Sequence, residues 1–195
     1  MAGLRWIALL IVYAGLLLAP SGSAVAQTPQ EYKQKRAFLY NFVKYVRWPP
    51  ETGDQLVIGV LGKDPFAAVG AGLPSGTLAG KKIVVRRFDS MAEYSPCQIL
   101  FISGTAADGG EEETAEDRLK AAVERTRGSP VLLVSESRGL AKKGAMINFR
   151  VDVQANSVRM DINLDATKRA GLSIAAPLLG LSSVTIVQNG ETGSD

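Results

Sequence analysis

Four short apolar runs, LVIGVLG (56–62), KIVVRRF (82–88), CQILFISG (97–104) and PVLLVSES (130–137), leave this chain few folds to choose from. Each is closed by turn residues. Near-continuous apolar strands of this length need cover on both faces, the condition of a parallel sheet with helices above and below it. The segments between and around them supply those helices. Asp64 can cap one with Pro65 in its first position. Thr114–Arg127 is amphipathic, with Leu119, Ala122 and Val123 on one side. Upstream, Leu39, Phe42, Val43 and Val46, with Phe38 and Tyr45 at the margins, recur at helical spacing between Tyr32 and Trp48, until Pro49-Pro50 stop the pattern. This alternation predicts a single layered α/β/α domain with a mostly parallel sheet.

The stretch INFRVDVQANSVRMDINL (147–164) follows a different rule, strict alternation of apolar and polar residues. It predicts a C-terminal antiparallel hairpin. Folded about Gln154-Ala155-Asn156-Ser157, it sets Asp152 opposite Arg159, Arg150 opposite Asp161 and Asn148 opposite Asn163. Opposite charges across strands contribute roughly 0.2–1 kcal/mol each, and the alternation fixes register because a one-residue slip would bury every charge. The bland role of Arg150, Asp152, Arg159, Asp161 and Asn163 is to pin the hairpin on a wet face. The sharper role is a docking platform, since a flat polar ladder beside a strand edge suits a partner. Beyond it, Asp165 is placed to cap a short helix through Ala170. Another helix is expected from Pro177, with Leu178, Leu179 and Leu181 inward.

The first helix carries a second candidate surface. Lys33, Arg36, Tyr40, Lys44 and Arg47 are three or four apart and form a basic stripe. Such a stripe is a solvated face with long stems lying on apolar neighbours, or a contact for anionic lipid headgroups or an acidic partner.

Composition removes most chemistry. There is no histidine, which excludes Ser-His-Asp and Cys-His nucleophiles, imidazole acid/base catalysis and most zinc sites. Cys97 is the only cysteine, so no internal disulfide can form. With 22 Lys and Arg against 19 Asp and Glu, the net charge of +3 is too small to argue for nucleic acid. Gly59-Val60-Leu61-Gly62 matches neither phosphate-loop pattern. The acidic run from Asp108 to Glu113, continued by Glu116 and Asp117, misses calcium-loop spacing and suits the start of a helix. Ser103, Ser135 and Ser137 sit at strand ends without a base. Asp161 and Asp165 could pair as glycosidase carboxylates, but Arg150 across from Asp161 would keep it ionised. No catalytic set, metal or cofactor is expected, and the chain reads as a protein other than an enzyme.

Arg5, the uncharged run Trp6–Ala19 and the triplet Ala24-Val25-Ala26 read as a leader for export, cut after Ala26. The domain is then expected over 27–187, with a tail over 188–195 too polar to pack.

In this order, KRAFLYNFVKYVRWP, VIGVLGKDPF, CQILFIS, PVLLVSES, GAMINF and MDINLDATKRAGLSIAAPLL resemble the YfiR family of periplasmic regulators, from about Lys33 to Val187. The resemblance implies a soluble periplasmic α/β protein that binds and represses the periplasmic sensor portion of an inner-membrane diguanylate cyclase. That would lower cyclic di-GMP and biofilm formation without contact with any nucleotide. Similar domains also serve as the input module of sensor kinases, and a small-molecule receptor or a carboxylate-based hydrolase are the remaining alternatives. A homodimer and contact with the membrane surface stay open. Two departures stand out: well-studied members are similar in using disulfides, which Cys97 alone cannot make, and Ala175-Ala176-Pro177 replaces the polar or basic residues usual before the family's Leu-Leu pair.

Overall fold

A computed structural model describes residues 29–50, 53–67, 72–73, 75–105 and 113–188. The expected leader, residues 108–112 of the acidic run and the tail from 189 onward lie outside the described residues. In chain order the elements are α1 (Pro29–Tyr45), β1 (Val46–Arg47), β2 (Gln55–Leu61), β3 (Gly76–Leu78), β4 (Lys81–Phe88), β5 (Ile99–Ile102), α2 (Ala115–Arg125), β6 (Leu132–Ser135), β7 (Ile147–Asp152), β8 (Ser157–Asn163), α3 (Leu164–Arg169), β9 (Ser173–Ile174), α4 (Ala176–Leu179) and β10 (Val184–Val187). None of the described helices is long and apolar enough to cross a membrane.

Eight strands form one sheet in the order β10-β8-β7-β6-β5-β2-β4-β3. The four apolar runs are its centre, and β4, β2, β5, β6 and β7 are all parallel. Every residue of β5 and β6 is buried, as is β2 from Leu56 onward. This double-sided burial is why these segments are apolar without alternation. Because β4 and β5 lie on opposite sides of β2, sheet growth reverses between β2 and β5. The carboxyl ends of these two strands therefore flank a switch point.

Helix α1 covers one face. Its Phe42 stacks on Phe149 of β7, with ring centroids 6.0 Å apart, and its Tyr32 meets Phe66, which in turn meets Phe101 of β5 at 4.9 Å. Helix α2 covers the other, burying Leu119 and Ala122. Thr114 accepts the Asp117 N–H while the Asp117 carboxylate accepts the Thr114 N–H, a reciprocal cap that starts α2 where the sequence predicted. At Asp64 the carboxylate accepts the Phe66 N–H at 2.8 Å, as a cap would.

Four expectations need correction. Helix α1 ends at Tyr45 rather than Trp48, because Val46 and Arg47 pair antiparallel with Ile174 and Ser173. The cap of α3 is Asn163, whose side chain accepts the Ala166 N–H at 2.9 Å; Asp165 lies in the first turn. The helix after Pro177 stops at Leu179, leaving Leu181 exposed, and the chain then forms β10, parallel to β8.

The fourth correction is the register of the hairpin. Asp152 lies opposite Ser157, Arg150 opposite Arg159, and Asn148 opposite Asp161. The Asp152 carboxylate accepts the Ala155 N–H at 3.1 Å and Asn156 adopts φ 45°, which closes a loop over 153–156 and brings Ser157 into the ladder. A shift of two residues preserves which side chains share a face, so both expected ion pairs form, but diagonally. Arg150 Nε lies 2.8 Å from Asp161 Oδ1, and Arg159 Nε 2.7 Å from Asp152 Oδ2.

Candidate functional site

The first place to look in an open α/β sheet is the crevice at the switch point. Gly62 ends β2 with φ +87°, and a Cβ there would stand 2.7 Å from the Thr105 carbonyl, so the turn is built for glycine. Around it converge groups that the sequence did not single out. Glu31 and Lys35, one turn apart on α1, share a face and form a buried ion pair. Lys35 Nζ also lies 2.7 Å from Glu136 Oε2, just past β6, and both side chains are only 1% exposed. The other Glu136 oxygen accepts the Gly104 N–H at 2.7 Å, and the Tyr32 hydroxyl donates to the same carboxylate. The Lys35 ammonium stands 4.6 Å from the Tyr32 ring centroid. Burial, and after it the Glu136 and Glu31 charges, push the Tyr32 hydroxyl far above its ordinary value.

Buried Arg118 stands nearby on α2, donating to the Ser103 and Glu113 carbonyls at 2.9 and 2.6 Å. Burial lowers its pKa, opposed by Glu113 and Asp117. Ser103 accepts the Thr105 N–H and Ser135 donates to Asn148 Oδ1 at 2.6 Å, so these serines serve the backbone and the core. An ammonium held between two carboxylates has no lone pair to offer as a nucleophile or base. The cluster ties the first turns of α1 to the ends of β5 and β6.

On the hairpin, Arg150, Asp152, Arg159 and Asp161 do gather on one face, opposite that of Phe149 and α1. The two arginine side chains are 39% and 41% exposed. Arg150 also reaches Thr185 Oγ1 and Arg159 the Ser182 carbonyl, both at 3.4 Å, so the ladder crosses from β7 over β8 to β10. Asn163 does not belong to this wet face. It is fully buried, donating to the Ala141 carbonyl at 2.7 Å, because the turn Leu140–Lys143 covers that end of β8. Asn148 is buried likewise, accepting from the Ser135 hydroxyl.

The basic stripe divides. Lys33 and Lys44 are exposed on α1, and Arg47 is exposed but on β1. Arg36 is half-buried, with Nη1 donating to the Gly72 carbonyl at 3.4 Å. Tyr40 is also half-buried, its hydroxyl pushed up by burial against the lowering effect of Arg36. Cys97 is 3% exposed, and burial raises its thiol to about 12 against the lowering effects of Tyr94, Gly59 and Arg86.

Glu31 and Lys35 had a local signal, an acid and a base four apart on a helix. Nothing local told that they would be buried, because Glu136 answers them from 101 residues away.

The domain thus carries one set of charges paired in its interior and a second set paired at one end of the sheet, where the arginines meet solvent. The YfiR/HmsC-like family profile matches residues 32–183, and the chain belongs to that family. None of the curated proteins matches it. The family comprises periplasmic regulators of cyclic di-GMP signalling rather than enzymes, and membership implies a membrane diguanylate cyclase sensor as partner.

Proposed function

We propose that this protein is exported with cleavage of its leader and represses an inner-membrane diguanylate cyclase by binding its periplasmic sensor portion, lowering cyclic di-GMP and biofilm formation. The observation that carries the docking site is the half-exposed ladder of Arg150, Asp152, Arg159 and Asp161, left uncovered where the α2 layer ends. Charges of both signs at fixed positions give a partner something to read, and so give specificity more than raw affinity. The stripe of Lys33, Lys44 and Arg47, with Arg36 behind it, lies on the opposite layer, so a flat partner engages one surface or the other. A small-molecule receptor is less well supported, since the polar groups at the switch point bind one another.

The test is capture from solubilised inner membranes together with cyclic di-GMP measured in cells. Arg150→Ala with Arg159→Ala should lose the partner and repression while keeping the fold, since the Asp152 carboxylate that closes the loop is left in place. Gln at 33, 36, 44 and 47 should keep both. The reverse pattern would move the docking site to α1, and capture of a sensor kinase would replace the cyclase as partner.

A further inference from the structure

We infer that the cavity between the ends of α2 and α3 is a binding site for a small aliphatic monocarboxylate, whose chain fills the cavity while its carboxylate meets Arg127 and Arg169. The inference does not depend on which protein is regulated, and the site is separate from both the switch point and the charged ladder.

The cavity holds about 360 Å³, at the lower end of the range of roughly 300–1,000 Å³ in which small-molecule sites fall. It opens where β6 and β7 begin, at the end of the sheet away from the switch point: Leu133 is the second residue of β6 and Met146 immediately precedes β7. The sequence explains why the neighbouring elements do not close it. Ala166 and Ala170, one turn apart on α3, bring only methyl groups to its wall. Across from them Gly128 and Gly144 stand at φ 76° and 117°, left-handed conformations that favour glycine, and add no side chain. A Cβ at 144 would stand 3.2 Å from Val123 Cγ2, so the wall there is at its closest approach.

The walls select an apolar body. Val123, Leu133, Met146 and Ala166 supply them, and the last three are buried. Thr126 also lines the cavity, but its hydroxyl already donates to the Ala122 carbonyl at 2.7 Å. Among the described residues no aromatic side chain lines it, so stacking gives a ring no advantage over an aliphatic chain. Met146, unbranched and adaptable, accommodates chains of differing shape.

The mouth selects the charge. Arg127 and Arg169 line the cavity, and among the described residues no carboxylate does. Arg127 follows the end of α2 and Arg169 ends α3, places where a cation complements the helix dipole. The dipole accounts for one arginine at each end, not for both opening on the same apolar cavity. Nor does the backbone need them as caps. At the end of α2 the Ala122 and Glu124 carbonyls accept the Thr126 and Arg127 N–H groups, and at the end of α3 the Ala166 and Lys168 carbonyls accept those of Ala170 and Gly171. A guanidinium offers a carboxylate two parallel N–H donors, so an aliphatic acid answers the walls and the mouth together.

Octanoate is the probe. The purified protein should bind it saturably in calorimetric titration, and the Met146 methyl resonance should shift along the same isotherm. From butanoate to octanoate each methylene should tighten binding roughly fourfold, and octylamine, with the same chain and the opposite charge, should not bind. Arg127→Gln with Arg169→Gln should weaken octanoate about tenfold or more, whereas Lys120→Gln, at an exposed cation of α2 outside the cavity, should leave it unchanged. Ala170→Leu should fill the cavity and abolish binding in a protein that still folds. Absence of saturable octanoate binding would overturn the inference, as would octylamine binding as tightly or undiminished binding by the double arginine variant. A Met146 resonance that stays still while octanoate binds would place the acid elsewhere and sink the assignment equally.

Discussion

Two sets of opposite charges in this molecule do different work, and burial is what separates them. Lys35, Glu31 and Glu136 are withdrawn from water at the switch point, so each needs the others. Arg150, Asp161, Arg159 and Asp152 form ion pairs of similar length where the arginines remain in contact with solvent. Water can stand in for a missing partner on the ladder, and exposed pairs of this kind contribute about 0–1 kcal/mol. Nothing can stand in for one inside. The interior set ties α1 to the strand ends, and the exterior set keeps its arginines in contact with water.

The largest effect should therefore come from the inside. Lys35→Met removes one positive charge and strands two buried carboxylates, and should cost about 3–5 kcal/mol in denaturant unfolding. Adding Glu136→Gln should recover part of the loss, since the amide oxygen can still accept the Gly104 N–H while one charge is gone. A Lys35→Met variant no less stable than a ladder variant would erase the distinction between the two regions.

Between the extremes lies the cap of α2, exposed but bonded to a helix end. Thr114→Ala should cost about 1 kcal/mol. The Thr114 hydroxyl and N–H hold the Asp117 carboxyl below its usual value. A carboxyl with a depressed folded value stabilises above its unfolded value of about 3.9 and loses that contribution as pH falls through the folded one. The difference between wild type and Thr114→Ala should thus be constant near neutrality and shrink below about pH 4. A difference that persists in acid would mean that the hydroxyl acts without the carboxylate.

How much of this was legible follows the range of the interactions. The central strands and the presence of both long helices rest on local periodicity and were legible, whereas the end of α1 at Tyr45, the part-exposed face of β4 and the reciprocal cap at Thr114 were not read from it. The hairpin was legible as a hairpin, but its register turned on the Asp152 carboxylate closing the loop at Ala155, a choice between two turns that leave the same alternation. Asn163 was misplaced because the cover that buries it comes from Leu140–Lys143, which carries no periodic signal. Strand β10 was missed for a similar reason: VTIV follows a Leu-rich stretch that reads as helix until α4 ends at Gly180. The interior cluster was illegible because Glu136 meets α1 only after the sheet has formed.

The smallest effect on stability, and the most informative, lies on the ladder. Direct opposition of Arg150 and Asp161 would make Arg150→Asp cost about 1 kcal/mol by placing like charges face to face. The observed register changes that expectation. Position 150 lies opposite Arg159 and only diagonal to Asp161, so an acid at 150 loses one ion pair and gains an opposite charge directly across the ladder. Arg150→Asp should therefore cost well under about 1 kcal/mol, and adding Asp161→Arg should change stability little further. If the ladder is the docking surface proposed above, repression should respond differently: both variants should fold and neither should hold the cyclase. Melting temperature and cyclic di-GMP measured in the same strains decide this. A large loss of stability in the single variant, recovered in the double, would restore the direct pairing. Full repression by both would show that the ladder only pins the hairpin, and would move the docking surface elsewhere on the sheet.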